Sequence, residues 1–191
     1  TNVITDDKKT LGDGMYEIET ALNSNSVIEI TGAYTYDGAN VALYQRNNSM
    51  AQKFYLRYVG EGWYNIYAIG GSNKLIDVLN GSTSPSTKVQ IWTANEGTAQ
   101  KWKFIDAGNG YYYLQPQCNS LYLDVKGAVT TNTTPIQVYT AHGGTGQKFK
   151  MNNLFDTADD EFSTVTINNK RKYVKFSGMV WEDMQWRDGK E

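Results

Sequence analysis

The chain has 191 residues, 40% of them apolar, with 18 basic and 20 acidic side chains. That length suits one domain with an appendage, and the near balance of charge leaves no polyanion footprint, so nucleic acid is not an expected partner. Cys118 is the single cysteine, which excludes an intrachain disulfide, a Cys-ligated zinc site and a Cys-x-x-Cys redox pair. No apolar run approaches the length of a membrane-spanning helix, and no membrane insertion is expected. The 25 aromatic residues, 14 of them tyrosine, exceed what a core of this size needs. Tyrosine joins an apolar face to a polar tip, so the surplus points to partly exposed rings that contact something polar.

In chain order, residues 1–13 are polar and read as a frayed lead-in; the start at Thr1, with no Met and no signal-like segment, suggests a processed or cut chain. Met15 to Leu22 alternates as a strand does. Turn residues 23–26 follow, then strands at 27–30, 41–45 and 52–58, with a Gly/Asp-containing loop at 31–40. Gly60-Glu61-Gly62 closes this unit. A second unit repeats the scheme near 63–69, 75–78, 88–93 and 100–105. After Asn109-Gly110 a third has strands near 111–117, 121–125, 135–140 and 147–151.

The three units share one order of residues. An acid (Glu29, Asp77, Asp124) precedes an aromatic (Tyr44, Trp92, Tyr139) by 15 positions, and that aromatic precedes a Gln-Lys-aromatic element by 8. The last element is Gln52-Lys-Phe54, Gln100-Lys-Trp102 and Gln147-Lys-Phe149. Self-similarity without drift in spacing decides the architecture. One such unit could not bury its own apolar face. Three around a pseudo-threefold axis can, and a closed barrel also removes sheet edges. Twelve strands in three four-strand units make an all-β fold, the β-trefoil, with repeats at about 14–60, 61–108 and 109–151.

The repeated Leu-Asp-Val, Val-Gln-Ile-Trp and Gln-x-Trp/Phe elements resemble the ricin-B-type β-trefoil lectins and the family 13 carbohydrate-binding modules. The resemblance covers residues 14–151, about three quarters of the chain. It implies that the aromatic of Gln-x-Trp packs in the core, and that each repeat can hold a sugar on its outer face. It also implies that the acid accepts hydrogen bonds from two adjacent sugar hydroxyls while the preceding aromatic covers the ring. The Gln two residues before that aromatic, and the Asn or His three residues after it, would add polar contacts.

Elementary chemistry agrees with such a set. A sugar has a C–H face and an edge of hydroxyls, so a pocket needs a platform and convergent polar groups; a carboxylate accepts two strong, charge-assisted bonds. Asp77, Gln90, Trp92 and Asn95 supply every part, as do Asp124, Gln137, Tyr139 and His142. The first set is degraded: Glu29 is one methylene longer, and Ala42 stands where Gln is needed, although Tyr44 and Asn47 remain. Against this, Asp77 and Asp124 sit in turn-rich surroundings where Asp can simply bond backbone amides. Gln52, Gln100 and Gln147 read as framework that satisfies backbone groups at a strand start, and Phe54, Trp102 and Phe149 as core. The family often has Asn just before the Gln of Gln-x-Trp; Ala51, Ala99 and Gly146 stand here, which removes a polar partner from each pocket.

Other chemistry is missing. One His and one Cys cannot build a Cys–His pair or the usual metal cluster, so no metal and no cofactor is expected. The glycine-rich run 142–148 fails the phosphate-loop spacing. Asp156, Asp159, Asp160 and Glu161 lack the EF-hand order. The pattern sequons at Asn47, Asn80 and Asn132 read as accidental in so Asn-rich a chain. A glycosidase needs paired carboxylates within about 10 Å, whereas Asp77 and Asp124 fall in different repeats. Beyond the repeats, residues 152–191 read as a β-hairpin (163–167 and 172–176) followed by an apolar segment with Val180, Trp181, Met184 and Trp186, either packed on the trefoil or starting a next domain.

The expectation is therefore a non-catalytic sugar-binding module, secreted or on a cell surface, probing galactose-type sugars or plant polysaccharide. The resemblance further implies a bacterial source and other domains on the same polypeptide. The competing reading is a protein-interaction or scaffold trefoil with relic pockets.

Overall fold

A computed structural model describes residues 8–71 and 73–154, and the backbone of 175–176 and 179–180. The chain divides into a unit of residues 1–156 and a second of 157–191. In the first unit twelve strands follow one another. They are β1 (Gly14–Thr20), β2 (Ser26–Ile30), β3 (Val41–Gln45), β4 (Phe54–Gly60), β5 (Trp63–Ala68), β6 (Lys74–Val78), β7 (Thr87–Thr93), β8 (Trp102–Gly108), β9 (Tyr111–Pro116), β10 (Tyr122–Val125), β11 (Thr134–Tyr139) and β12 (Phe149–Asn153).

Six of them close a ring by antiparallel pairing, in the order β1-β4-β5-β8-β9-β12 and back to β1. The remaining six form three hairpins, β2–β3, β6–β7 and β10–β11. These hairpins meet one another: β11 pairs with both β3 and β7, and Asn40 bridges Gln90 to complete the triangle. A barrel under a triangular cap is the β-trefoil expected from the spacing. Closure leaves the ring no free edge.

The core repeats with the sequence. Phe54, Trp102 and Phe149 are fully buried, as are Ile18, Ile66 and Leu114 from the barrel and Ile28, Ile76 and Leu123 from the hairpins. Alternate strand positions supply these side chains, since successive residues point to opposite faces. Trp102 departs from the two phenylalanines, and its indole Nε1 donates to the Ile76 carbonyl at 3.0 Å.

Two local expectations change. Residues 52, 100 and 147 do not open strands; each ends a short 3₁₀ turn (Met50–Gln52, Thr98–Gln100, Thr145–Gln147), and the strand begins two residues later at the core aromatic. The lead-in is tied down from Lys8 onward. The buried Tyr64 hydroxyl accepts from the amides of Thr10 and Leu11 and donates to the Leu11 carbonyl, and Asp13 accepts from the Tyr58 amide at 3.1 Å. In the second unit Lys175–Phe176 pairs with Met179–Val180. This pairing is not the expected one of 163–167 with 172–176; residues 163–167 and 172–174, the acidic cluster at 156–161 and the Trp-containing end lie outside the described residues.

Truncating the odd member of the core triplet tests its weight. Trp102→Ala should cost about 3–5 kcal/mol by leaving a large cavity. Trp102→Phe, which copies the other two repeats, should cost about 1–3 kcal/mol by thinning the packing and removing the indole donor. Urea denaturation reads both values, and equal losses for the two variants would contradict the packing described.

Candidate functional site

The three hairpins carry the three residue sets, and register explains how each set assembles. In β6–β7 Asp77 lies directly across from Gln90, and in β10–β11 Asp124 lies across from Gln137. Gln90 Nε2 donates to Asp77 Oδ1 at 3.0 Å, and Gln137 Nε2 donates to Asp124 Oδ1 at 2.8 Å. All four side chains are buried, whereas Trp92 and Tyr139, two residues on along the same strands, stay 39% and 37% exposed. The result is a carboxylate at the base of a pocket with a ring at its mouth. Neither aspartate bonds a backbone amide, so the simple turn-Asp reading does not describe them.

Each Gln-x-aromatic glutamine is wholly buried. It binds its own hairpin: the amide nitrogens of Gln52, Gln100 and Gln147 donate to the carbonyls of Gln45, Thr93 and Thr140 at 2.9–3.1 Å. Their oxygens accept from the amides of Asn47, Asn95 and His142 at 2.9–3.0 Å. The Asn or His side chain closes a local turn just before the 3₁₀ turn: Asn47 accepts from the Ser49 amide, Asn95 from Gly97 and His142 from Gly144. In Asn95 and His142 one atom is thus engaged, which leaves the other side of the amide or imidazole as a polar contribution to the site. In the third set that free nitrogen, His142 Nε2, lies 3.7 Å from Asp124 Oδ2.

The first set is arranged differently. Glu29 Oε2 accepts from Gln52 Nε2 at 2.9 Å and from Asn47 Nδ2 at 3.3 Å. Its extra methylene carries the carboxylate onto the framework glutamine, while Ala42 opposite it offers no amide. Tyr44 is half-buried. This carboxylate is occupied from within.

The small residue at 146 also gains a reason. Each hairpin continues past its acid into a second 3₁₀ turn (Thr31–Ala33, Leu79–Gly81, Lys126–Ala128) that faces the first. A Cβ on Gly146 would stand 3.3 Å from Ala128 Cβ, and one on Gly81 would stand 3.8 Å from Ala99 Cβ. A larger side chain such as Asn at 146 would press the two turns apart.

Contacts between repeats were not visible in the spacing. The loop leading into each hairpin's second strand lies on the next hairpin: Gly38 donates to the Ile91 carbonyl, Ser86 to Val138 and Thr133 to Leu43, at 2.8–2.9 Å. Beside these bonds, Asp37 Oδ1 accepts from the Thr93 amide and from Lys74 Nζ, both at 2.6 Å. Asn132 Oδ1 accepts from the Gln45 amide at 2.8 Å. The third equivalent is Pro85, which offers no acceptor. Aligning the repeats does bring positions 37, 85 and 132 together, but nothing in that alignment says that they act on a neighbour. A cleft of about 500 Å³ lies at the third set, lined by Asp124, Gln137, Tyr139, His142, the turn 126–128, Gly144 to Gly146, and, from other repeats, Leu22 and Ser86.

A sequence profile of the ricin-type beta-trefoil lectin domain-like family matches residues 3–92, 52–139 and 98–179. The chain belongs to this family. Among solved structures, this lectin-like domain is similar to ThreeFoil, a designed threefold-symmetric protein, at 32% identity and TM-score 0.71, over 74% of this chain and all of that one. It is similar to an exo-β-1,3-galactanase of Clostridium thermocellum at 27% identity and TM-score 0.70, over 74% of this chain but only 30% of the galactanase. The Macrolepiota procera ricin B-like lectin, solved with lactose, shares the fold at 16% identity and TM-score 0.63, over 76% and 99%. No curated protein matches the chain.

Electrostatics single out the two intact sets of the lectin-like domain. Burial pushes the Asp77 carboxyl above the ordinary 3.8; bonds from Gln90 and Gln100 oppose the shift, and the negative charge of Asp37 adds to it. Burial likewise raises Asp124, against the bond from Gln137 and the pull of His142 and Gln147. Ionised, these groups weigh against folding. A buried carboxyl raised in this way makes the folded state bind more protons than the unfolded chain, so its contribution to stability is present below 3.8 and lost as pH rises through the raised value. The double variant Asp77→Asn plus Asp124→Asn should therefore gain unfolding temperature relative to the wild type as pH goes from about 3 to about 6. Melting curves across that range check it; a difference that does not widen with pH would contradict the burial cost.

Proposed function

We propose that this domain is a non-catalytic carbohydrate-binding module whose second and third repeats hold sugar. The observation that carries the reading is the pair of buried aspartates, each fixed by a glutamine amide beneath a partly exposed ring, in a chain of the ricin-type lectin family. One oxygen of each carboxylate is held and the other can accept from sugar hydroxyls, with Trp92 or Tyr139 covering the C–H face. The burial cost of these charges supports a role in binding, because groups that oppose folding concentrate at functional sites. The first repeat, its Glu29 engaged by Gln52 and Asn47, takes no part.

Galactose-type sugars come first as ligands and plant polysaccharides second, the former in keeping with the similarity to a galactanase and to a lectin solved with lactose. Single shallow pockets bind weakly, a millimolar site corresponding to about −4 kcal/mol, so two on one rigid body act together on a polymer or glycosylated surface. A module of this kind works outside the cell or at its surface, beside further domains of a longer polypeptide. The engaged first pocket favours a second reading, a trefoil that now binds protein.

A glycan and polysaccharide screen with pocket variants separates the two. Asp77→Ala and Asp124→Ala should each weaken the sugar signal about 10- to 100-fold at its own pocket, by loss of charge-assisted bonds. The double variant should abolish the signal, and Glu29→Ala should leave it in place. Full binding by the double variant would refute the pocket assignment.

A further inference from the structure

Tyr34 and Tyr36 have no counterpart in the other repeats, where Ser82 and Ser84, and Val129 and Thr131, occupy the same places. They are the two most exposed tyrosines among the large apolar side chains at the described surface, at 54% and 58%, and their rings stand 5.3 Å apart. The loop that carries them is held at both ends. Tyr34 lies against the turn Thr31–Ala33, close enough that a Cβ on Gly32 would come within 2.9 Å of its ring. On the far side, Asp37 is bonded to Thr93 and Lys74, and Lys88 Nζ donates to the Gly38 carbonyl at 2.7 Å. Gly38 reaches the second pocket itself: a Cβ there would lie 3.8 Å from Gln90 Oε1 and 4.0 Å from the Trp92 ring.

The two rings therefore stand on a fixed segment that ends against the platform of the second pocket. We infer that Tyr34 and Tyr36 extend this pocket into a strip for consecutive sugar residues of one glycan chain, so that the second repeat binds an oligosaccharide in preference to a single sugar. The inference rests on the reading of Asp77 and Trp92 as a sugar pocket. Tyrosine suits the task because each ring offers a face to C–H groups and a hydroxyl to the sugar edge. Anchoring through Asp37 keeps the rings in place before binding, which removes the cost of ordering a loop. The repeat that lost its own pocket thereby serves its neighbour's.

Titration calorimetry in an Asp124→Ala background, which leaves the second pocket as the one read, tests this with galactose against β-1,3-galactotriose and xylose against xylotriose. In at least one series the trisaccharide should bind about tenfold tighter than the single sugar. Tyr34→Ala plus Tyr36→Ala should erase that ratio, Asp37→Ala should lower it by freeing the loop, and Tyr55→Ala, an exposed tyrosine on the barrel strand β4, should leave it unchanged. A ratio near one for the starting protein in both series, no binding in either, or a full ratio in the double tyrosine variant would overturn the inference. Failure of the pocket reading looks different: single-sugar binding that Asp77→Ala does not alter.

Discussion

The arrangement depends on a buried glutamine used three times. With no exposure to water, the side chains of Gln52, Gln100 and Gln147 must find partners for both ends of the amide, and they find them on the two segments that need joining. The nitrogen holds a carbonyl at or just past the end of a hairpin strand and the oxygen holds an amide two residues further on. Two residues later the chain drops its aromatic into the core. One short element thus fixes the angle between cap and barrel. Because it sits beside the acid, it also decides what that acid can do. In the second and third repeats the amide lowers part of the burial cost of Asp77 and Asp124; in the first, the longer Glu29 is drawn onto it and closed off.

Why the copies differ follows from side-chain reach more than from backbone. Strand bounds recur to within 2 residues at the offsets of the sequence repeat, and the glutamine opposite the acid stands in cross-strand register wherever it is present. A single methylene and one missing amide separate a carboxylate held by the glutamine across the strand pair from one held by the framework glutamine and Asn47. The first repeat has gained structure in exchange: Arg46, where the other repeats have alanine, bonds the buried carboxylates of Glu17 and Glu19 and the Ser24 carbonyl. Those acids could not remain buried without a partner.

Much of this was readable from the amino-acid order. Equal spacing between acid, ring and glutamine required equal geometry in each unit, and the alternation of apolar positions placed the core aromatics where they stand. The features that spacing could not disclose are those made between units. Asp37 and Asn132 are unremarkable loop residues until the closed cap brings them against Thr93 and Gln45. The role of Gln90 and Gln137 as partners of the acid emerges only from register. Gly146 looks like a loss in a one-dimensional comparison and like a packing constraint in three dimensions. Tyr64 makes the same point at the start of the chain, where a polar stretch that composition marks as loose is held by one buried hydroxyl.

The loop of the first repeat rests on the second, that of the second on the third, and that of the third on the first. The cleft at the third set is consequently the joint property of three units, its own giving the acid and ring, the other two giving Ser86 and Leu22 to the wall. Circular order acquires a direction. A change in one unit's loop bears directly on the hairpin ahead of it, which ties the divergence of each copy to its neighbour. Asp37 adds side-chain bonds to the backbone contact on the second hairpin and Pro85 adds none to that on the third, and each difference was written in a unit other than the one whose hairpin it touches.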